Sequence, residues 1–267
     1  VIDLHNHLLP AIDDGAKRLE ESLEFLRAAR RDGITTIVAT PHMKPGVHDN
    51  SRETILERVA LVREAQKGDP DSEGVELLPG AEVYFGADLP QRARAGLLMS
   101  VADRGKYLLL ELPYQQVPLQ VDETIFQLRL AGLTPLMAHP ERVAYYLEDL
   151  ERVEASVRIG ALTQVTGSSI TGRFGSKARD FALAMLDRGL IHVLATDSHD
   201  VRHRPPVLSE AARLVRDRLG DAAARRLTEE IPRAILEGRE IEAAPPPRRS
   251  RGRRGVRDWL AGIFPRR

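Results

Sequence analysis

The sequence predicts an α/β chain whose parallel strands close into a barrel. A plan of helix, glycine and apolar strand recurs along it, with Gly33, Gly132 and Gly189 each closing a helical stretch and opening a strand. The strands are continuous apolar runs, the pattern of a parallel sheet covered by helices on both faces. Ionisable residues gather at the C-terminal ends of those runs, the edge on which barrel enzymes assemble their sites.

Taken in order, the first strand carries Asp3-Leu4-His5-Asn6-His7. Alternation along a strand is expected to project Asp3, His5 and His7 together, with Leu4 and Leu8 on the other face. Imidazoles at i and i+2 converge on one cation, and a nearby carboxylate can join them or orient a ring; a solvated polar strand face is the plain alternative. Asp13-Asp14-Gly15 reads as a turn, and Leu19, Leu23 and Leu26 mark one face of a helix that stops at Gly33. Ile34 to Thr40 is a buried strand leading into Pro41-His42. Val75 to Glu82 and Tyr107 to Glu111 are apolar runs that each end on a carboxylate. Leu133 to Ala138 leads into His139-Pro140-Glu141-Arg142, and Leu190 to Thr196 into Asp197-Ser198-His199. The run Ala161 to Thr166 brings no evident ligand. His192 is expected to be packing, on the strand face opposite Asp197, with His48 and His203 solvated in loops. Helices through Leu208, Ala212 and Val215 and from about Asp221 complete the body.

At 267 residues the chain suits one large α/β domain or two small ones, and no apolar run is long enough to span a bilayer. With no secretory leader visible ahead of His5, a cytoplasmic location is the expectation. The chain has no Cys, which excludes disulfides, thiolate metal sites and every mechanism with a Cys nucleophile. A metal must therefore sit on His, Asp and Glu, which suits Mn, Fe, Zn or Mg. Net charge is zero, but residues 245–267 hold eight Arg and one Asp, so the body is acidic by seven charges. That balance argues against a nucleic-acid-binding core.

The His residues and carboxylates at one barrel mouth exceed the needs of a single ion, so two or three divalent metals are expected. Such a cluster makes a hydroxide at neutral pH and clamps a phosphoryl centre. Arg142 and Arg204 can offer forked donors to phosphate oxygens.

These residues carry a pattern that resembles the polymerase and histidinol phosphatase (PHP) family, and within it the bacterial tyrosine-protein phosphatases of capsular and exopolysaccharide operons. The likeness runs from Asp3 to about Glu237. It passes through Asp3-Leu4-His5-Asn6-His7, Asp13-Asp14-Gly15, Ala39-Thr40-Pro41-His42, Gly80-Ala81-Glu82-Val83-Tyr84 and Leu110-Glu111-Leu112-Pro113. It continues through Ala138-His139-Pro140-Glu141-Arg142, Phe174-Gly175, Thr196-Asp197-Ser198-His199 and Arg204-Pro205-Pro206. Val143 and Val165-Thr166-Gly167 depart from the usual pattern, at the substrate rim.

The resemblance implies an α/β fold of the distorted TIM-like (β/α)7 PHP type over residues 1–240, with a trinuclear, usually manganese, site at the C-terminal ends of the strands. It implies the metal ligands His5, His7, His42, Glu82, Glu111, His139, Asp197 and His199, with Asp14 beside the metals and Arg142 and Arg204 on the substrate phosphate. The expected reaction is attack of a bridging hydroxide on phosphotyrosine with no phospho-enzyme, Asp14 or His199 serving as general acid. The expected partner is the phosphotyrosine tail of a membrane-bound bacterial tyrosine kinase of polysaccharide export. Two alternatives keep the site: hydrolysis of a small phosphate monoester such as histidinol phosphate, and a non-catalytic metal-binding module.

From residue 241 the chain reads as a Pro/Arg-rich linker and tail. Val256, Trp259, Leu260, Ile263 and Phe264 follow helical spacing after six arginines between 248 and 257. Residues 248–267 are thus expected to attach to an anionic membrane surface, a solvated tail being the alternative.

Overall fold

The computed structural model describes residues 1–115 and 120–241. The expected tail helix and its arginines lie outside the described residues. The strands are β1 (Ile2–Asn6), β2 (Thr36–Ala39), β3 (His42–Lys44), β4 (His48–Asp49), β5 (Glu76–Pro79), β6 (Glu82–Tyr84), β7 (Tyr107–Glu111), β8 (Thr134–Ala138), β9 (Leu162–Thr166) and β10 (Val193–Ala195). They hydrogen-bond in the orders β1-β2-β5 and β10-β9-β8-β7-β6-β3-β4, all parallel except the β3–β4 hairpin.

Two staves of the barrel are broken. The runs expected as single strands, Ile34 to Thr40 and Val75 to Glu82, end early, and the chain restarts as β3 after Thr40-Pro41 and as β6 after Gly80-Ala81. A proline has no N–H for the ladder, which accounts for the first interruption. The break has a use: β3 pairs with β6 in the register His42 to Glu82, so these two polar residues open adjacent stave segments side by side. Counting each broken pair as one stave gives seven parallel staves among the described residues. The ring closes where β1 meets β10: Asp197 N donates to His5 O at 2.9 Å and His7 N to Ser198 O at 3.0 Å.

Period-two alternation then layers the barrel. Tyr107 and Leu109, Leu162, and Val193 and Ala195 point into the inner apolar cluster, and the next inward positions on these staves are Glu111, Gln164 and Asp197. The barrel is filled with apolar side chains below and capped by a polar layer above. Ile231 and Ile235 of the last helix close the lower end; each such side chain contributes roughly 1.5–3 kcal/mol on burial. Ile241, the last described residue, packs partly buried against the same cluster.

Outside the staves lie α1 (Leu19–Arg31), α2 (Arg52–Gln66), α3 (Leu89–Arg94), α4 (Val121–Leu130), α5 (Ala144–Leu147), α6 (Leu150–Arg158), α7 (Gly167–Ile170), α8 (Ser176–Asp187), α9 (Ser209–Leu219), α10 (Asp221–Arg225) and α11 (Ile231–Leu236). Phe25 and Leu26 of α1, Val59 of α2, Ile125 of α4 and Met185 of α8 pack on the outward face of the staves. Among the described residues no helix is long and apolar enough to cross a membrane.

Candidate metal centre

The β1 motif works differently from its expected alternation. Ile2 and Leu4 face the inner apolar cluster, which puts Asp3 on the opposite face, and a register shift between Asp3 and Asn6 keeps it from projecting with the histidines. The Asp3 carboxylate accepts from Thr196 N at 2.9 Å, Thr196 Oγ1 at 2.6 Å and Asn6 Nδ2 at 3.3 Å, which ties β1 to the end of β10.

His5 and His7 are both oriented from behind. His5 Nδ1 lies 2.8 Å from Gln164 Oε1 and His7 Nδ1 lies 2.8 Å from Asp13 Oδ2. An acceptor on Nδ1 holds the proton there and leaves Nε2 as a lone pair facing the pocket. The two Nε2 atoms face each other at 3.1 Å, with Glu82 Oε2 at 3.3 and 3.4 Å and Asp197 Oδ1 at 3.5 and 3.7 Å. Lone pairs and carboxylates repel at these distances unless a cation stands among them. The same demand appears in the pKa directions. Burial opposes protonation of His5 and His7, yet the fields of Glu82 and Asp197 on His5, and of Asp13 and Glu82 on His7, raise both above the ordinary value. The cluster draws in positive charge.

The remaining polar residues complete three-dimensional ligand sets. His42 Nδ1 lies 3.0 Å from Glu82 Oε2 and 3.4 Å from Glu111 Oε2, and His139 Nε2 lies 3.0 Å from Glu82 Oε1. His42 Nδ1 and Glu111 Oε2 are buried with no hydrogen-bond partner among the described residues. Burial, and then the neighbouring Glu82, push the Glu111 carboxyl up to about 7. Four groups have ligand atoms mutually within 4.8 Å: His7, Asp14, His42 and His199; His5, Glu82 and His139; His5, His7 and Asp197; and His42, Glu82 and Glu111. Nitrogen and carboxylate oxygen in such sets fit divalent first-row ions. All eight expected ligands are brought together, with His5, His7, His42 and Glu82 each shared between two groups.

Asp14 enters as a ninth member. Its Oδ1 lies 3.3 Å from His199 Nε2 and 3.5 Å from His42 Nε2, and its side chain is 53% exposed, at the open end of the cluster. Burial would raise its pKa, but His199, His7 and His42 pull it well below the carboxylate range. Burial and the neighbouring His7 lower the His199 pKa. Both shifts favour an ionised Asp14 and a neutral His199. Gly15 makes the approach feasible: a Cβ there would stand 1.8 Å from His7 O. Any side chain would push the Asp13-Asp14 turn away from His7.

Arg142 and Arg204, expected on the substrate, both reach Asp197, whose Oδ2 lies 2.5 Å from Arg142 Nη1 and 2.6 Å from Arg204 Nη2. Asp197 thus divides its oxygens, Oδ1 to the imidazoles and Oδ2 to the guanidiniums. Burial opposes ionisation of Asp197, but His5 and the two arginines hold it ionised. Two pocket residues, His139 (φ 35°) and Asp197 (φ 50°), sit in left-handed backbone at their stave ends, a conformation that costs of order 1–3 kcal/mol each and persists where surroundings impose it.

His192 is packing, as expected: its buried Nδ1 accepts from Thr163 N at 3.1 Å, and burial lowers its pKa to about 4. His203 is exposed as expected, but His48 is not a free loop residue; it lies in β4 and stacks on His42 at 5.4 Å. Sequence reasoning missed Gln164 and Asp13 as the groups that orient His5 and His7. Each had a signal, Gln164 as a lone amide within an apolar strand and Asp13 as a carboxylate beside Asp14.

Residues 1–237 match the family described as capsular polysaccharide synthesis, CpsB/CapC. The chain belongs to the CpsB/CapC family. Tyrosine-protein phosphatase YwqE of Bacillus subtilis is 35% identical over 247 residues, 92% of this chain and 95% of that protein. Tyrosine-protein phosphatase CpsB of Streptococcus agalactiae serotype V is 30% identical over 247 residues, 90% and 100% of the two chains. A crystal structure from work on YwqE and on CpsB of Streptococcus pneumoniae, described as unique metal-dependent tyrosine phosphatases, superposes with a TM-score of 0.87. Identity there is 33%, with 92% of this chain and 98% of that one covered. A lactonase of Listeria monocytogenes shares the barrel at a TM-score of 0.53 and 13% identity, with 90% and 95% of the chains covered, a likeness of fold alone. The expected PHP-type barrel of CpsB/CapC members is therefore the fold of this chain.

Proposed function

We propose that this chain hydrolyses phosphotyrosine on a tyrosine kinase of polysaccharide synthesis or export, by direct in-line attack of water on phosphorus. Two or three divalent ions, manganese foremost, are held by His5, His7, His42, Glu82, Glu111, His139, Asp197 and His199, with Asp14 as a further ligand. At the level of activity class the chain is a metal-dependent tyrosine-protein phosphatase of the CpsB/YwqE type. The observation that carries the metal reading is the pair of inward Nε2 lone pairs, 3.1 Å apart and ringed by carboxylate oxygens.

Ions in such a site lower the pKa of a bound water toward neutrality and offset the charge on phosphoryl oxygens. The protein's own groups supply the rest. Gln164 and Asp13 fix the tautomers of His5 and His7. Arg142 and Arg204 meet the phosphoryl oxygens with charge-assisted donors, turning toward them from Asp197 Oδ2. No side chain needs to form a phosphoester, in keeping with a chain that has no Cys. The phenolate leaving group has a conjugate acid of pKa about 10, so it departs without a strong general acid. That agrees with an ionised Asp14 and a neutral His199. The polysaccharide context of the family supports the kinase as substrate.

The test is turnover of a phosphotyrosine peptide against histidinol phosphate, before and after chelation. We expect preference for the peptide, loss of activity on chelation, recovery with Mn²⁺ and indifference to thiol alkylation. Activity that survives exhaustive chelation overturns the metal mechanism, and preference for histidinol phosphate overturns the substrate.

A further inference from the structure

Phe174 lies between the two arginines of the pocket. The Arg142 guanidinium carbon is 4.2 Å from the centre of its ring and that of Arg204 is 5.5 Å away. Arg142 also lies 5.3 Å from the Tyr114 ring, which stacks on the metal-pocket imidazole of His139 at 5.4 Å with 13° between planes. His139, Tyr114, Arg142, Phe174 and Arg204 thus form an unbroken series of flat groups running from the ligand cluster to the second arginine.

The arginines need such a support. Both draw on one carboxylate oxygen, Asp197 Oδ2, and two like charges sharing a partner repel each other. Arg204 Nε is buried with no hydrogen-bond partner among the described residues, so that guanidinium is not fully fixed by hydrogen bonds. An aromatic ring next to both cations presents negative π density to each and restricts side chains that carry much rotamer entropy. The backbone holds the ring where this happens. Phe174 sits in a tight turn between Gly172 (φ 91°) and Gly175 (φ 89°), closed by Arg173 N to Ser168 O at 2.9 Å and Gly175 N to Gly172 O at 3.1 Å. Both glycines adopt left-handed backbone that other residues resist.

We propose that Phe174 is a positioning residue for phosphate recognition: its ring sets the separation and tilt of Arg142 and Arg204, so that both guanidiniums engage one phosphoryl group. The inference rests on the phosphatase reading of the pocket. It acts through the arginines and does not require Phe174 to touch the aryl ring of the substrate.

The test uses the manganese-loaded full chain with Phe174→Leu, Phe174→Tyr, the pair Arg142→Ala with Arg204→Ala, and the triple variant. Two quantities are read: kcat/KM on a phosphotyrosine peptide, and the Kd of inorganic phosphate, which needs no turnover. Phe174→Leu should lower kcat/KM and weaken phosphate roughly tenfold to thirtyfold, with metal content and Tm as in the parent, and Phe174→Tyr should restore both. In the background lacking both arginines, Phe174→Leu should change phosphate affinity by less than about twofold. An equal loss with and without the arginines overturns the proposal, as do parental phosphate affinity in Phe174→Leu and loss of metal from it. A parent chain that binds phosphate but turns over no phosphotyrosine defeats the phosphatase reading instead, and the phosphate measurements still decide the role of Phe174.

Discussion

Replacing Glu82 by Gln removes one negative charge from the point where four imidazoles meet, with little change of volume. Glu82 Oε2 lies 3.0 Å from His42 Nδ1, 3.3 Å from His5 Nε2 and 3.4 Å from His7 Nε2, and Oε1 lies 3.0 Å from His139 Nε2. The residue is 1% exposed, so water does not screen the loss. Unit charges about 4 Å apart at an effective dielectric of about 20 interact by ~4 kcal/mol, and a divalent ion doubles this to ~8 kcal/mol. If the amide dipole and the remaining carboxylates of Glu111 and Asp197 recover about half, the net penalty is ~4 kcal/mol, or about a thousandfold in metal affinity. Glu82 belongs to two of the four ligand groups, so more than one ion is affected. The assay is metal content after desalting, by elemental analysis, together with phosphotyrosine-peptide turnover at saturating Mn²⁺. We expect sub-stoichiometric metal and at least a thousandfold loss of kcat/KM. A Glu82→Gln chain that keeps its full metal complement and turns over within tenfold of the parent would refute the shared-ligand reasoning.

Asp13→Asn removes the carboxylate that holds the His7 tautomer at 2.8 Å; metal affinity should fall about 10- to 100-fold with the fold intact, and titration that finds it unchanged would show that His7 is oriented otherwise. Glu141 is fully buried, accepts from Thr166 N and Ser169 Oγ through Oε1, and has no partner at Oε2; burial pushes its carboxyl up to about 7. A folded pKa above the unfolded one means the contribution of Glu141 to stability is fully present below about pH 4.5 and is lost as pH rises through 7, by ~3 kcal/mol. Glu141→Gln should escape that loss. Denaturant melts of the metal-free chains should show the variant gaining on the parent between pH 4.5 and 8, and a constant difference would refute the buried-charge account. For the tail, the full chain should co-sediment with anionic liposomes and a chain ending at Ala244 should not, because eight arginines and the apolar set around Trp259 are then absent; equal binding by the two removes the anchor.

The sequence by itself determined the repeat of helix and buried strand, the barrel, and which eight ionisable residues gather at its mouth. Each of these is local information. A strand declares itself by a short apolar run, and the residue at its C-terminal end declares itself by being ionisable where the run stops, as at Glu111, His139 and Asp197. Alternation failed where a local rule was interrupted: the register shift after Asp3 in β1 parted the histidines from Asp3, which bonds Thr196, and breaks at Pro41 and Gly80 split two runs so that His42 and Glu82 could pair. What only the tertiary structure decided is which group holds which. His5 and Gln164 are 159 residues apart, and Arg142 and Asp197 are 55 apart. These pairs meet because the seven staves close into a ring with a fixed register, which brings stave ends together across the mouth. Residue type and position on a strand suffice to nominate a ligand. The tautomer of an imidazole, the division of Asp197 between imidazoles and arginines, and the place of Phe174 between two guanidiniums depend on distances that exist only once the ring is closed.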